Sequence, residues 1–316
     1  MNKSLRLAAF LVFLSGSPVC VAQGGGEKKP IRIGYVLDYP GGPTAGDNRD
    51  TQIATDLLLK RVIGPKYELQ FNSYGHLEQL RNAVREGELD GWQIGGLDYH
   101  LEGEGSLLRG TPAVAYQYAE ADHTSRYCLV ARKGTTVADL YRGELVSPTY
   151  GDRGQGLAWA EARLIDQLKE TQAGSPASFF SQIKRVSLNK PKESIFPVFF
   201  GNADTCLILD HQFETMKELN PQIGKRLEVL LTSPEVVIAL IVYRPDFDPD
   251  VVKELIDRAA KIHEVPDGET ALKLLGLRRF RKLEPGDLDS WMKIAETVQK
   301  LELLRGEFPE SEAIGK

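Results

Sequence analysis

Apolar positions along the chain change period repeatedly, and the changes divide it into short elements. Residues 31–37 (IRIGYVL) form a β-branched and aromatic run bounded by Pro30 and by Pro40, Gly41 and Gly42. A run of that length and composition predicts a buried strand. Residues 50–63 carry Ile53, Leu57 and Val62 at helical spacing, and Gly64 with Pro65 ends the helix. Tyr67 to Phe71 alternates as a second strand. Leu77, Leu80 and Val84 mark another helical stripe, and Leu89 to Ile94 reads as a third strand. The order from 31 to 95 is therefore β-α-β-α-β, the unit of a parallel sheet with helices on its faces.

A second unit of the same kind follows. Residues 112–132 hold two strand-like stretches around a polar turn, Asp139 to Gly143 a helical turn, and Leu145 to Ser147 a strand. A glycine-containing loop over 151–156 leads into a helix from Leu157 to Lys169, with Leu157, Ala160, Leu164, Ile165 and Leu168 on one face. A strand over Lys184 to Leu188, a helix near Ser194 to Phe200 and a strand over Asp204 to Leu209 complete the unit. Leu227 to Leu231 and Val236 to Tyr243 are further β-branched runs. After Pro249 helix formers dominate, with helices expected over 251–264, 269–276 and 287–304 and little strand. At about 150 residues per domain, 316 residues suggest two domains, so the C-terminal block supplements an existing sheet.

The first 22 residues stand apart. Lys3 and Arg6 precede an almost wholly apolar stretch from Leu5 to Leu14, and Gly16, Ser17 and Pro18 break it before Ala22. That is the pattern of a cleaved secretory signal over 1–22, followed by a flexible leader over 23–30. A lipoprotein anchored at Cys20 is disfavoured by Pro18 and Val19, and the apolar run is short for an uncleaved span of about 20 residues. The net charge of −5 loses two cations with the signal, which argues against a general nucleic-acid footprint. Cys128 and Cys206 remain; each lies in an apolar strand-like run, readable as two buried thiols or as one disulfide. They form no metal-binding knuckle.

Most chemical motifs fail. The glycines at 41 and 46 resemble a phosphate loop, but Asp47 and Asn48 stand where Lys and a hydroxyl are needed. The five histidines are scattered, and neither a zinc-hydrolase nor a serine-hydrolase signature is present. No catalytic residue, metal ligand or cofactor is expected. The loop from Tyr150 to Gly156 is the exception. It joins a strand to a helix, its glycines let a ligand approach the backbone, and Arg153 adds a charge-assisted donor. The plainer reading is a tight strand-to-helix turn.

Several segments together resemble a known family. They are Gly87 to Asp90 before a strand ending at Gly95 and Gly96, Tyr127 to Lys133 followed by Ala138 to Gly143, and Gly201 to Asp204 before TCLILD. Ser233 and Pro234 leading to Arg244, and Leu274 to Phe280, continue the series. In order and spacing the chain resembles an exported type II solute-binding protein of ABC importers, of the phosphate/phosphonate-binding group, from about Ile31 to Leu301.

The resemblance implies an α/β fold of two lobes, each a mostly parallel sheet flanked by helices, joined by two crossover hinge strands. Lobe 1 would be discontinuous, over 31–115 and 240–316. Lobe 2 would cover 126–235, with hinges around 112–130 and 227–243. Hinge closure on the ligand would be the working motion. The family's anion loop, usually Ser-Thr-Ser-Gly, falls on Arg153, Gly154, Gln155 and Gly156, so the donors shift to Arg153, Gln155 and backbone N–H groups. Those can hold a phosphonate, phosphate or carboxylate. The candidate ligand-binding set is Tyr39, Thr44, Gln93, Tyr99, Tyr150, Arg153, Gly154, Gln155, Gly156, Asp210 and His211. For Arg153 the alternative is a solvated cleft rim, for Tyr99 lobe packing, and for Asp210 with His211 a surface helix cap. The implied protein is periplasmic, monomeric and not an enzyme, and it passes a small anionic ligand to a membrane permease. A ligand-sensing module for a membrane sensor kinase is the alternative.

Overall fold

In the computed structural model, residues 30–36, 53, 56–61, 66–102, 106–117, 125–148, 154–169, 179–186, 190–275 and 277–305 are described. The first apolar run forms strand β1 (Pro30–Val36). It pairs in parallel with β2 (Glu68–Tyr74) on one side and β3 (Gly91–Gly95) on the other. Between β2 and β3, helix α1 (Leu77–Arg85) buries Leu77, Leu80, Ala83 and Val84, the stripe its spacing predicts. The buried Asp90 carboxylate, just before β3, accepts from the Arg32 backbone N–H at 2.9 Å and from its guanidinium Nε and Nη2 at 3.2 Å each. This ties β1 to the entry of β3.

The helix expected over 50–63 is helical at 53 and over 56–61, but on a different face. Leu59 is 8% exposed, whereas Ile53 and Leu57 are 48% and 61% exposed. Three consecutive leucines, 57 to 59, satisfy helical spacing in more than one register, so spacing alone does not choose the buried one. The rest of that segment, including Val62, lies outside the described residues.

Strands β4 (Thr111–Gln117), β10 (Ala239–Tyr243) and β11 (Arg279–Lys282) extend the first sheet to the order β11-β4-β10-β3-β1-β2. The second sheet joins β5 (Tyr127–Arg132), β6 (Glu144–Pro148), β7 (Gln182–Val186), β8 (Thr205–Leu209) and β9 (Leu227–Thr232) in the order β7-β6-β8-β5-β9. Both sheets are mixed: parallel β-α-β strands make up each lobe's sheet as expected, and antiparallel strands join them. In the first, β10 runs antiparallel to β3 and β4; in the second, β5 runs antiparallel to β8 and β9. The chain leaves the first sheet through β4 and enters the second through β5, then leaves through β9 and returns through β10. The strands through which the chain enters each sheet from the other, β5 and β10, run against the β-α-β strands, whereas β4 and β9, through which it leaves, run with them.

Strand β11, four residues long, lies in the C-terminal block, where little strand was expected. Only Phe280 of its four residues is buried, too short an alternation to announce a strand.

Helices cover both sheets. The second lobe carries α3 (Gln155–Lys169), α4 (Pro191–Phe200), α5 (Asp210–Leu219) and α6 (Pro221–Arg226). The C-terminal block supplies α7 (Pro249–Ala260), α8 (Pro266–Leu274) and α9 (Asp289–Arg305). Among the described residues no helix is long and apolar enough to cross a membrane. One core cluster unites Leu97 beside β3, Tyr127 and Leu129 of β5, Leu157 and Trp159 of α3, Val236 and Ile238 before β10, and Trp291, Ile294 and Val298 of α9. Helix α9 therefore packs across the seam between the two sheets.

Candidate functional site

Strand β3 passes into helix α2 (Gly96–Leu101) with no intervening loop, so the start of that helix faces the second lobe. Opposite it, Gly154 introduces α3 with φ +63, a left-handed conformation that favours glycine. The two helix starts meet at Gln155, whose side chain is fully buried. Its Oε1 accepts from the Leu97 backbone N–H at 3.1 Å, and its Nε2 donates to the Ile238 carbonyl at 3.2 Å. The same carbonyl accepts from the Gly96 N–H at 3.2 Å. One residue earlier, the Val237 carbonyl accepts from Trp291 Nε1 at 2.6 Å.

Glycines make this convergence possible. A Cβ at Gly95 would lie 2.1 Å from Gln155 Nε2 and 3.0 Å from Asp98 Oδ2. A Cβ at Gly156 would lie 2.6 Å from the buried Tyr127 ring. Asp98, at 3% exposure, is the buried carboxylate of this seam. Burial, with the Asp98 charge adding, holds the Tyr127 phenol well above its ordinary pKa.

Of the expected ligand-binding residues, Tyr39, Thr44, Tyr150 and Arg153 lie outside the described residues. The others fall into two places. Gln93 is buried in the centre of β3, and Tyr99 on α2 is packed under the Arg109 guanidinium at 5.5 Å and edge-on to His100 at 5.4 Å. Gly154, Gln155 and Gly156 complete the seam from the other lobe. Asp210 and His211 sit at the start of α5, half-buried. Asp210 is the first helical residue and Leu209 the cap position, which corrects the capping reading. Its carboxylate accepts from the His211 N–H at 2.8 Å. Burial pushes that carboxyl up, but hydrogen bonds from His211 and Arg126 outweigh it and hold its pKa below the ordinary value. Leu97, Asp98, Ile238 and Trp291 were missed from sequence. The one signal for them was the glycine pair 95 and 96 at a strand end.

A concavity of about 490 Å³ lies away from the seam, beside β11. Its cations are already paired: Arg281 grips Asp287 at 2.6 and 2.8 Å, and Lys282 bonds Asp257.

Cys128 and Cys206 are free, buried thiols on the paired strands β5 and β8, which decides against the disulfide. Burial pushes the Cys128 thiol up to about 11 and Cys206 further still. Because the thiolate is the reactive species, a thiol-specific disulfide reagent at pH 8 should leave both unmodified in the folded mature protein. Both should react at once in denaturant, as absorbance at the reagent's leaving-group band will read.

The family model of the ABC transporter phosphonate periplasmic substrate-binding proteins matches residues 55–288. The chain belongs to that family. No curated protein matches it. Among solved structures, a binding-protein component of an ABC phosphonate transporter from Pseudomonas aeruginosa superposes with a TM-score of 0.59 at 12% identity, covering 91% of this chain and 92% of that one. PhnD1 from Prochlorococcus marinus, in complex with methylphosphonate, gives 0.55 at 18% identity over 87% and 98% of the two chains. A Xanthomonas citri protein bound to ATP gives 0.59 at 13% identity over 87% and 98%. The mixed sheets flanked by helices are the two-lobed periplasmic binding protein fold, and the protein is a periplasmic solute-binding component of this transporter family.

Proposed function

We propose that this member of the family captures a small ligand carrying an oxyanion group between its lobes and delivers it to a membrane permease without chemically changing it. The observation that carries the reading is the start of α3. A 15-residue helix is entered through a left-handed glycine and aims its first N–H groups and positive dipole end at the other lobe. Arg153, the residue before that glycine, adds the charge. The neighbours of the fold bound to methylphosphonate and to ATP support a phosphorus oxyanion as the ligand group. Tyr39, Thr44, Gln93, Tyr99 and Tyr150 line the approach in this reading, and residues 1–22 are the signal that exports the chain. Delivery is favoured over sensing because the family is a transporter component.

Isothermal calorimetry of the mature protein against methylphosphonate, phosphate, acetate and a cationic amine tests this. Saturable one-site binding of an oxyanion is expected, and Arg153→Ala should weaken it by about 1.5–3 kcal/mol. Binding of the amine with no response to any oxyanion would overturn the anion reading.

A further inference from the structure

We infer that Arg185 is a cation of the oxyanion site and that it selects a doubly charged head group over a singly charged one. The inference rests on the proposed reading of the start of α3 and adds to it a residue and a charge class of ligand. Arg185 and α3 both belong to the second lobe, so the inference does not depend on how the lobes close.

Strand alternation carries Arg185 to the helix start. Successive side chains of β7 point to opposite faces of the sheet. Val186 joins Ile195 and Val198 of α4 in one cluster. Ile183 packs on the other face, against the cluster that holds Leu157 and Trp159 of α3. Arg185 shares the face of Ile183, two residues further toward the carboxyl end of β7, the end at which the parallel β6 leads toward α3. There its guanidinium lies against Gly154: a Cβ at that glycine would be 2.9 Å from Arg185 Nη1. The missing side chain at Gly154 thus serves the guanidinium as well as the left-handed φ. Basic residues on a sheet edge also block edge pairing, and β7 is an edge strand. Lys184 does that from the opposite face, whereas Arg185 turns in over the helix start.

Positive charge accumulates at this point. Arg185 is exposed, and among the described residues it makes no ion pair and no hydrogen bond. The first bond of α3 runs from the Ala158 N–H to the Gly154 carbonyl at 2.9 Å, so the N–H groups of Gln155, Gly156 and Leu157 have no partner within the helix. The first turn of α3 carries no acid, whereas those of α1, α4, α5 and α7 carry Glu78, Glu193, Asp210 and Asp250. A guanidinium beside the positive end of a helix is repelled by it, and an anion that touches both relieves the repulsion. The ligand's charge number then decides how much is gained. Coulomb energy follows the product of the charges, so Arg185 gains about twice as much from a dianionic phosphonate or phosphate head as from a carboxylate or a phosphonate monoester. The planar fork of arginine also matches two oxygens of such a head.

Isothermal calorimetry of the mature protein at mildly alkaline pH tests this with two ligands of nearly the same shape, methylphosphonate as the dianion and its O-methyl ester as the monoanion. Circular dichroism confirms that each variant is folded. Wild type is expected to prefer methylphosphonate. Arg185→Gln should weaken methylphosphonate binding about tenfold or more, the loss of one charge-assisted hydrogen bond, and should weaken the ester much less. Lys184→Gln, on the opposite face of the same strand, removes the same net charge and should leave both affinities unchanged. Unchanged methylphosphonate affinity in Arg185→Gln, an equal loss for the two ligands, or the same loss in Lys184→Gln would overturn the inference and leave the oxyanion reading standing. Wild type that binds neither ligand would overturn the oxyanion reading, and this inference with it.

Discussion

Trp291→Ala is expected to lower unfolding stability by about 3–5 kcal/mol, as read by urea denaturation followed by far-ultraviolet circular dichroism. Trp291 is fully buried within the core cluster that includes residues of both lobes. Its ring centroid lies 6.3 Å from that of Tyr127 on β5. Removing the indole leaves a cavity that its neighbours on two sheets fill only by moving toward each other. It also leaves the buried Val237 carbonyl without the donor that holds it at 2.6 Å, and an unsatisfied buried acceptor costs about 1–3 kcal/mol by itself. Trp291→Phe separates the two contributions: it keeps most of the volume and loses the N–H, so it should cost only the smaller figure. A loss below about 1 kcal/mol for Trp291→Ala would mean that α9 is a surface helix with no part in joining the lobes.

Much of the fold is legible from periodicity because burial follows it. The stripe Leu77, Leu80 and Val84 is the buried face of α1, and Leu157, Ala160, Leu164 and Ile165 are buried on α3. Periodicity fails where it is degenerate or too brief. The three leucines at 57–59 permit two helical faces, and the alternation in β11 spans four residues around a single buried Phe280. Sheet direction is also hidden, since an antiparallel crossover strand such as β10 reads as apolar as a parallel one buried on both faces.

The site is less legible than the fold, and for a specific reason. The glycines before α3 point to a close approach, but not to what approaches. The partners of Gln155 are the N–H of Leu97 and the carbonyl of Ile238, and backbone atoms leave no mark on the side-chain sequence. Asp210 shows the converse. An acid before a helical run suggests a cap, but α5 begins one residue earlier than that reading needs, directly after β8, so the acid falls inside the helix and its carboxylate turns to the His211 N–H.

The seam's dependence on absent side chains gives the second large effect. Gly96→Ala should destabilise the protein by about 3 kcal/mol, at the upper end of the usual cost of overpacking. Alanine is ordinarily the better helix residue, by about 0.8–1.0 kcal/mol in a helix interior, so propensity argues for the opposite sign. The contacts decide it. A Cβ at Gly96 would lie 2.1 Å from Trp291 Nε1 and 2.4 Å from the Val237 carbonyl oxygen. The indole is locked by burial and by its bond to that same carbonyl, and a backbone oxygen cannot rotate away. Relief therefore requires α2, the hinge segment and α9 to separate, which breaks the Gly96–Ile238 hydrogen bond at the same time. Gly224→Ala is the matching control. It lies in α6, where a Cβ would meet only the flexible Lys217 side chain, no closer than 3.4 Å; there propensity should win and stability should rise slightly. Urea midpoints of the two variants, compared at equal slope, read the difference in sign directly. If Gly96→Ala were also neutral or stabilising, the close approach of α9 to the start of α2 would be wrong, and with it the account of how the two lobes are held together.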